Sequence, residues 1–176
     1  PIYGLFGLGM LLWAAHDLEF IVSRPFLPWR YWEALSLLAL GGFIACTTAF
    51  IHRFVGVRRP RTERAVVLFV LAGTPALLLL PGAAFRDFAE YVWHPIITAV
   101  GLYLYLLISM AAWRRGSAAL HLLAVSGSVM IVFGAHDLLI VLGQQPWGNG
   151  YLLPYSAAPS LIVFSSLLVR RFARNL

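Results

Sequence analysis

Six long apolar stretches constrain this chain more than any other feature of its sequence. A helix needs about 20 mostly apolar residues to cross the hydrocarbon core of a bilayer, and each stretch approaches or exceeds that length. Hydrophobic residues make up 61% of the 176 residues and charged residues only 11%. A soluble fold of this size would leave much of that apolar surface in water. The predicted spans are Ile2–Ser23, Tyr31–Phe54, Arg64–Leu80, Phe88–Trp113, Ala118–Leu142 and Tyr151–Phe172.

These spans predict an all-α fold, a polytopic membrane helix bundle. The apolar residues occur in runs rather than in alternation, which argues against a transmembrane β-barrel. The third span is the weakest because Gly73 and Pro75 interrupt it, but such residues are tolerated in membrane helices. No connection is long enough for a separate soluble domain, so residues 1–176 are expected to form one transmembrane domain.

Two absences exclude specific kinds of chemistry. All 13 basic residues are arginine, and without a lysine amine no retinal-type Schiff base can form. Cys46 is the only cysteine, so neither an internal disulfide nor a cysteine-based cluster is available. The net charge of +6 does not indicate nucleic acid as a partner, because the arginines lie between membrane spans and fit a topological role.

The arginines are distributed unequally between the two sides of the predicted bundle. One side carries ten, and the positive-inside rule places that side in the cytoplasm. The other side carries only Arg24, Arg30 and Arg86. We therefore expect a multi-pass membrane protein whose C-terminus is cytoplasmic. The ten are Arg53, Arg58, Arg59, Arg61, Arg64, Arg114, Arg115, Arg170, Arg171 and Arg174.

An internal repeat relates the first two spans to the last two. The segment Ala14–Leu18 (AAHDL) recurs as Gly134–Leu138 (GAHDL). The Pro28-Trp29 pair then matches Pro146-Trp147 after a two-residue deletion. Both copies run in the same direction, so the predicted repeat is parallel, with its axis along the membrane normal. The repeat predicts a seventh helix before Pro1, and both ends lack the features of a natural terminus, so we expect a longer chain.

Ionisable residues inside the spans are the candidate functional groups, because each costs about 2.5–3.5 kcal/mol at a helix centre. Three histidines on three spans are expected at one depth, about 10 Å below the outer surface. We expect these groups to line one outward-facing cavity that binds a small molecule or an ion. The candidate ligand-binding residues are His16, Asp17, Glu19, Glu90, Trp93, His94, His136 and Asp137.

Several chemistries fit this set of residues. His16, His94 and His136 with carboxylates behind them are able to bind zinc or copper, and two opposed imidazoles are able to ligate a haem iron. The same groups also suit hydrogen bonding to an amphipathic ligand. The alternative is structural, with His–Asp neighbours holding the bundle together. His52 and His121 lie at cytoplasmic helix ends, where we expect them to meet water or head groups.

The layout resembles bacterial seven-transmembrane receptors with diverse intracellular signalling modules. The resemblance lies in His136–Gly143 (HDLLIVLG), in Tyr151–Tyr155 (YLLPY) and in the Arg170-Arg171-Phe172 exit. It implies a non-catalytic sensor module of the bacterial inner membrane that passes a signal to a cytoplasmic output, such as the kinase of a two-component system. A homodimer formed through the C-terminal helix is a separate expectation. The alternatives are a metal- or haem-binding membrane protein, including an intramembrane hydrolase, and a structural subunit of a membrane complex.

Overall fold

The computed structural model describes residues 2–143, 150–156, 158–159, 162–163 and 166. Within these ranges the chain is helical and contains no strand. Helices α4 and α5 are joined by a π-helical turn, Ala89–Trp93, and a short 3₁₀ turn spans Leu153–Ser156. The helices are α1 (Ile2–Ile21), α2 (Trp29–Val55), α3 (Pro60–Leu79), α4 (Gly82–Phe88), α5 (His94–Arg115) and α6 (Ala118–Val141).

Five of the predicted spans correspond to helices long and apolar enough to cross a membrane, with α4, the π turn and α5 forming one helix of 34 residues, Gly82–Arg115. The predicted helix bundle is therefore confirmed for these spans. Half of the sixth predicted span, Tyr151–Phe172, falls outside the described residues. The weak third span is a continuous helix that keeps Pro75 in its interior.

The chain divides into two compact units, Pro1–Val100 and Gly101–Leu176. In the first unit α1 and α2 pack antiparallel, since the Phe6 ring lies against Phe50 near one end and the Trp13 and Phe43 ring centroids are 4.6 Å apart farther along. A Cβ added at Gly42 would approach Leu12 to 3.0 Å. Glycine therefore allows the two helices to approach closely at this level.

Helix α3 packs antiparallel to α2 and is held at both of its ends. At one end His52 of α2 pairs with Glu63 of α3. At the other end the Arg30 guanidinium donates to the carbonyl oxygens of Leu78, at 3.2 Å, and Leu80. The last carbonyls of a helix lack intrahelical partners, so Arg30 acts as a C-terminal cap for α3. One of the three arginines on the predicted outer side therefore has a structural role.

In the second unit, α5 and α6 approach each other at small residues. A Cβ added at Gly127 would lie 3.4 Å from the Tyr105 ring, and one added at Gly101 would lie 3.7 Å from the Ile131 side chain. Small residues at helix contacts are typical of membrane bundles, because packing rather than hydrophobic burial drives the association of helices in lipid.

The outer surfaces of the helices carry large apolar side chains. Leu11 is 71% exposed, Leu79 is 78% exposed and Trp113 is 89% exposed. Such surfaces would be unfavourable in water but match the acyl chains of a bilayer. Together with the five long apolar helices, they define a multi-pass membrane protein.

Candidate functional site

His16 is a buried polar residue of the first unit. Its side chain is 4% exposed, and its Nδ1 lies 2.7 Å from Ser36 Oγ and 3.2 Å from the Ser36 carbonyl oxygen. Ser36 Oγ also lies 3.2 Å from the His16 carbonyl oxygen, so the serine contacts both the backbone and the ring of this histidine. The Trp13 and Phe20 rings contact the imidazole edge-on. The ring is therefore held in position by contacts with both helices.

Further charged groups of the first unit surround this pair. Glu19 of α1 lies beside Ser36 and within electrostatic range of Glu33 on α2. Glu33 in turn lies within electrostatic range of Glu90 and Arg86, and His94 is within range of His16. Glu19, Glu33, Glu90 and His94 are all half-buried. We call this set the polar cluster: His16, Glu19, Glu33, Ser36, Arg86, Glu90 and His94.

The polar cluster is assembled by three different segments of the chain. α1 contributes His16 and Glu19, which are one turn apart and share a helix face. The first two turns of α2 contribute Glu33 and Ser36, again three residues apart. The remaining groups come from α4, the π turn and the start of α5. Since α1 ends and α2 begins at the same end of the unit, the short 22–28 connection brings these pairs together.

Trp93 lies next to the polar cluster in sequence but is completely buried, with 0% exposure. Its indole fills a slot between α2 and α3. A Cβ added at Gly41 would be 2.6 Å from Trp93 Cζ2, and one added at Gly73 would be 2.4 Å from Cζ3. The Phe69 ring stacks on the indole with centroids 5.1 Å apart. Gly73 made the third span a weak prediction from the sequence. In the structure it provides room for the Trp93 side chain.

Several buried polar atoms near the cluster make no hydrogen bond to any described residue. They include the indole nitrogens of Trp32 and Trp93, whereas Asp17 lies close enough to the Trp13 indole to accept a hydrogen bond from it. A buried polar group without a partner costs about 1–3 kcal/mol. This end of the unit is therefore rich in hydrogen-bonding capacity that the helices themselves do not use.

The second unit contains the other histidine–aspartate pair. His136 Nδ1 lies 2.9 Å from Asp137 Oδ1. The buried Asp137 carboxylate also accepts the backbone N–H groups of Leu152 and Leu153, at 2.9 and 2.7 Å. These amides open the 3₁₀ turn, so Asp137 caps it and ties it to α6.

The two copies of the repeated motif therefore use the same residues differently. His16 reaches across to Ser36 of the next helix, whereas His136 bonds to its own neighbour. Asp137 accepts two backbone N–H groups, whereas Asp17 lies beside the Trp13 indole of its own helix. The parallel repeat stays a prediction at the level of whole helices, while the local hydrogen bonding of the two copies has diverged.

Sequence reasoning named four members of the polar cluster, His16, Glu19, Glu90 and His94, and missed Glu33, Ser36 and Arg86. The signal for Glu33 was available, because it is an ionisable residue inside the second predicted span. No group of three or more His, Cys, Asp or Glu side chains in the described ranges is arranged to hold a metal ion. The shared cavity of His16, His94 and His136 involves both units and stays a prediction.

His52 and His121, which lie at the helix ends predicted to be cytoplasmic, differ from each other. His121 is exposed, as expected, and its Nδ1 lies 2.9 Å from the Ser117 carbonyl oxygen of the preceding turn. The expectation that His52 meets water or head groups is wrong, since its side chain is 0% exposed and its Nδ1 lies 3.1 Å from Glu63 Oε1. The approach of α3 covers His52, which the sequence of α2 alone does not reveal.

A comparison with known protein families places these observations in context. The family model described as 7TM diverse intracellular signalling matches residues 1–171. The match covers nearly the whole chain and confirms the resemblance that the sequence motifs indicated. No curated protein and no solved structure matches the chain.

Proposed function

Because the chain belongs to the 7TM diverse intracellular signalling family, we propose that it is the membrane sensor module of a bacterial signalling protein. In this role it detects a small molecule or an ion at the polar cluster and passes the change to a cytoplasmic output domain. The family fits a receptor-type membrane domain rather than a catalytic one. A sensor histidine kinase of a two-component system is the output that we favour.

The observation that carries this proposal is the polar cluster itself. Ionisable groups in a membrane span are costly and usually mark a ligand or ion site. A bundle that needed only mutual helix contacts would not require three half-buried glutamates, with Glu33 within electrostatic range of both Glu19 and Glu90. Like charges near one another repel. Arg86 offsets part of this repulsion at Glu33, and a bound cationic group would offset more of it. We therefore expect a ligand that carries a positive charge or several hydrogen-bond donors.

The π turn offers a way for such a ligand to act on the rest of the unit. Glu90 and Trp93 lie in the same five-residue turn, and π turns inside helices are frequent at functional sites. Trp93 fills the slot between α2 and α3. A ligand that moves Glu90 therefore also moves a side chain that separates two helices. These helices meet at their far ends, where His52 pairs with Glu63.

Ligand binding is tested with the full-length protein in nanodiscs. The probes are zinc, calcium, choline and putrescine, and the measurement is the midpoint of thermal unfolding. A probe at a hundred times its Kd stabilises the folded state by about 2.7 kcal/mol, which raises the midpoint. Glu33→Gln should abolish this response. The matched control is Asp87→Asn, an exposed acid outside the cluster, which should keep it.

Two outcomes of this experiment would contradict the proposal. If Glu33→Gln and Asp87→Asn respond to the probe alike, the polar cluster is not the binding site. If no probe shifts the midpoint of the wild-type protein, the structural role of the cluster is preferred. Transmission is tested by hydrogen exchange, where an active probe should change the protection of the 56–59 amides at the other end of α2.

The orientation in the membrane is a separate part of the proposal. The ten-to-three arginine asymmetry supports cytoplasmic positions for Arg58 and Arg114 and an outer position for Gln144. Single cysteines at these positions, in a Cys46→Ser background, are treated with an impermeant thiol reagent on intact spheroplasts. Only the cysteine at position 144 should react. Labelling at position 58 or 114 under these conditions would reverse the topology.

A further inference from the structure

The turn between α2 and α3 concentrates positive charge in a short segment. We call residues 52–64 the arginine corner. It begins at the end of α2, turns at Gly56 with a left-handed φ of 73°, and enters α3 at Pro60. Its only acidic residue is Glu63. Its arginines are Arg53, Arg58, Arg59, Arg61 and Arg64.

Glu63 holds α2 and α3 together at this corner rather than neutralising the charge of its arginines. One carboxylate oxygen lies 3.1 Å from Nδ1 of the buried His52, and the other lies 3.2 Å from Arg53 Nη2. Arg53 also donates to the Ala49 carbonyl oxygen at 2.6 Å. Both oxygens of the only carboxylate in the segment are therefore used within the α2–α3 contact. Arg58, Arg61 and Arg64 depend on anions from elsewhere for neutralisation.

Arg58, Arg61 and Arg64 are exposed. Arg61 and Arg64 are three residues apart on α3, and such residues are neighbours on one helix face. A guanidinium presents a planar fork of donors that matches a phosphate group with two parallel hydrogen bonds. Two such groups one turn apart, on a turn braced by Glu63, suit a phosphate better than a mobile tail would.

The same face of α3 continues as an apolar stripe. Leu68 and Leu71 follow Arg64 at i+4 and i+7, and they are 63% and 61% exposed. The stripe therefore runs from two arginines at the end of a membrane-length helix towards leucines farther along the span. A free phosphate ion has no apolar part that could pack against the leucines. A phospholipid matches both parts, with its phosphate at the arginines and an acyl chain along the leucines.

We propose that the arginine corner and the adjoining face of α3 bind an anionic phospholipid of the leaflet that contains the corner. Phosphatidylglycerol represents this chemistry, because it has a phosphate and carries no compensating amine. The proposal does not depend on the ligand of the polar cluster, which lies at the opposite end of the same helices.

The test compares lipid retention on the full-length protein. The protein is purified in nanodiscs of phosphatidylcholine with phosphatidylglycerol, released, and analysed by native mass spectrometry. The wild type should retain phosphatidylglycerol in preference to phosphatidylcholine. Arg61→Gln with Arg64→Gln should reduce this preference by about five-fold for each arginine removed. Arg58→Gln is a second variant, which removes an arginine of the corner that lies outside α3 and so leaves the sequence of α3 unchanged.

The matched control is Arg114→Gln with Arg115→Gln, which removes two exposed arginines at the end of another helix. This pair should keep the preference. An equal loss in the control would mean general surface attraction and would overturn the proposed site. No preference in the wild type would overturn it as well.

A second arm separates lipid from free anion. Inorganic phosphate is added to the protein in phosphatidylcholine alone, and the unfolding midpoint is measured. Phosphate should stabilise the wild type less than phosphatidylglycerol does. Equal stabilisation by both would show that only the anion is recognised and that the leucine stripe has no role.

Discussion

Replacing Gly73 with alanine tests how tightly the structure holds Trp93. An alanine Cβ at this position would lie 2.4 Å from Trp93 Cζ3 and 3.0 Å from Cε3, about 1 Å closer than an ordinary van der Waals contact between carbon atoms. The indole has no room to retreat, because it is fully buried and stacked on Phe69. The new methyl group must therefore displace α3 or the helix that carries Trp93.

The expected change in the free energy of unfolding for Gly73→Ala follows from two opposing effects. Alanine in place of glycine favours a helix interior by about 1 kcal/mol. Overpacking of a filled site costs about 1–3 kcal/mol, and the large overlap at Gly73 favours the upper end of that range. We expect a net loss of about 1–2 kcal/mol in the free energy of unfolding. Gly7→Ala is the control, since a Cβ there meets nothing within 4 Å, and it should be neutral or stabilising.

The assay is reversible unfolding of the full-length protein in mixed micelles with increasing dodecyl sulfate, followed by circular dichroism. A double-mutant cycle with Trp93→Phe sharpens the result. The atoms that clash belong to the outer ring of the indole, which phenylalanine lacks. Gly73→Ala should therefore cost clearly less in the Trp93→Phe background. If Gly73→Ala is as stable as Gly7→Ala, or if its cost is the same in both backgrounds, the slot does not hold Trp93 as described.

Three further substitutions test the contacts that fix the helix ends. Asp137→Ala removes two charge-assisted bonds to the amides of residues 152–153, worth about 1.5–3 kcal/mol each, and hydrogen exchange at these amides should accelerate. Glu63→Ala takes this partner from His52 and should cost about 1–3 kcal/mol in the same micelle assay, whereas Glu63→Gln keeps an acceptor and should cost less. Arg30→Ala uncaps α3, so the amides of its last turn should lose protection while those at its centre keep theirs.

The sequence was sufficient for the helices and their membrane setting. A helix forms all its backbone hydrogen bonds within its own segment, so the length and apolar character of each run predict a span without knowledge of its neighbours. The same reasoning identified His16 and Glu90, because an ionisable group in an apolar run is conspicuous wherever it packs. It also indicated the family, through motifs near His136 and Tyr151.

The tertiary structure decided which of these groups have partners. Nothing in the α2 sequence predicts that α3 covers His52 or that Ser36 orients His16, since both depend on side chains from another helix. Trp93 stays a predicted ligand-site residue, and the structure adds that its indole fills a slot that exists because Gly41 and Gly73 lack side chains on the facing helices. Apolar periodicity in a sequence indicates how much of a helix surface is kept out of water. In a bilayer every face of a helix is kept out of water. Only the packing of one helix against another therefore selects the faces that meet.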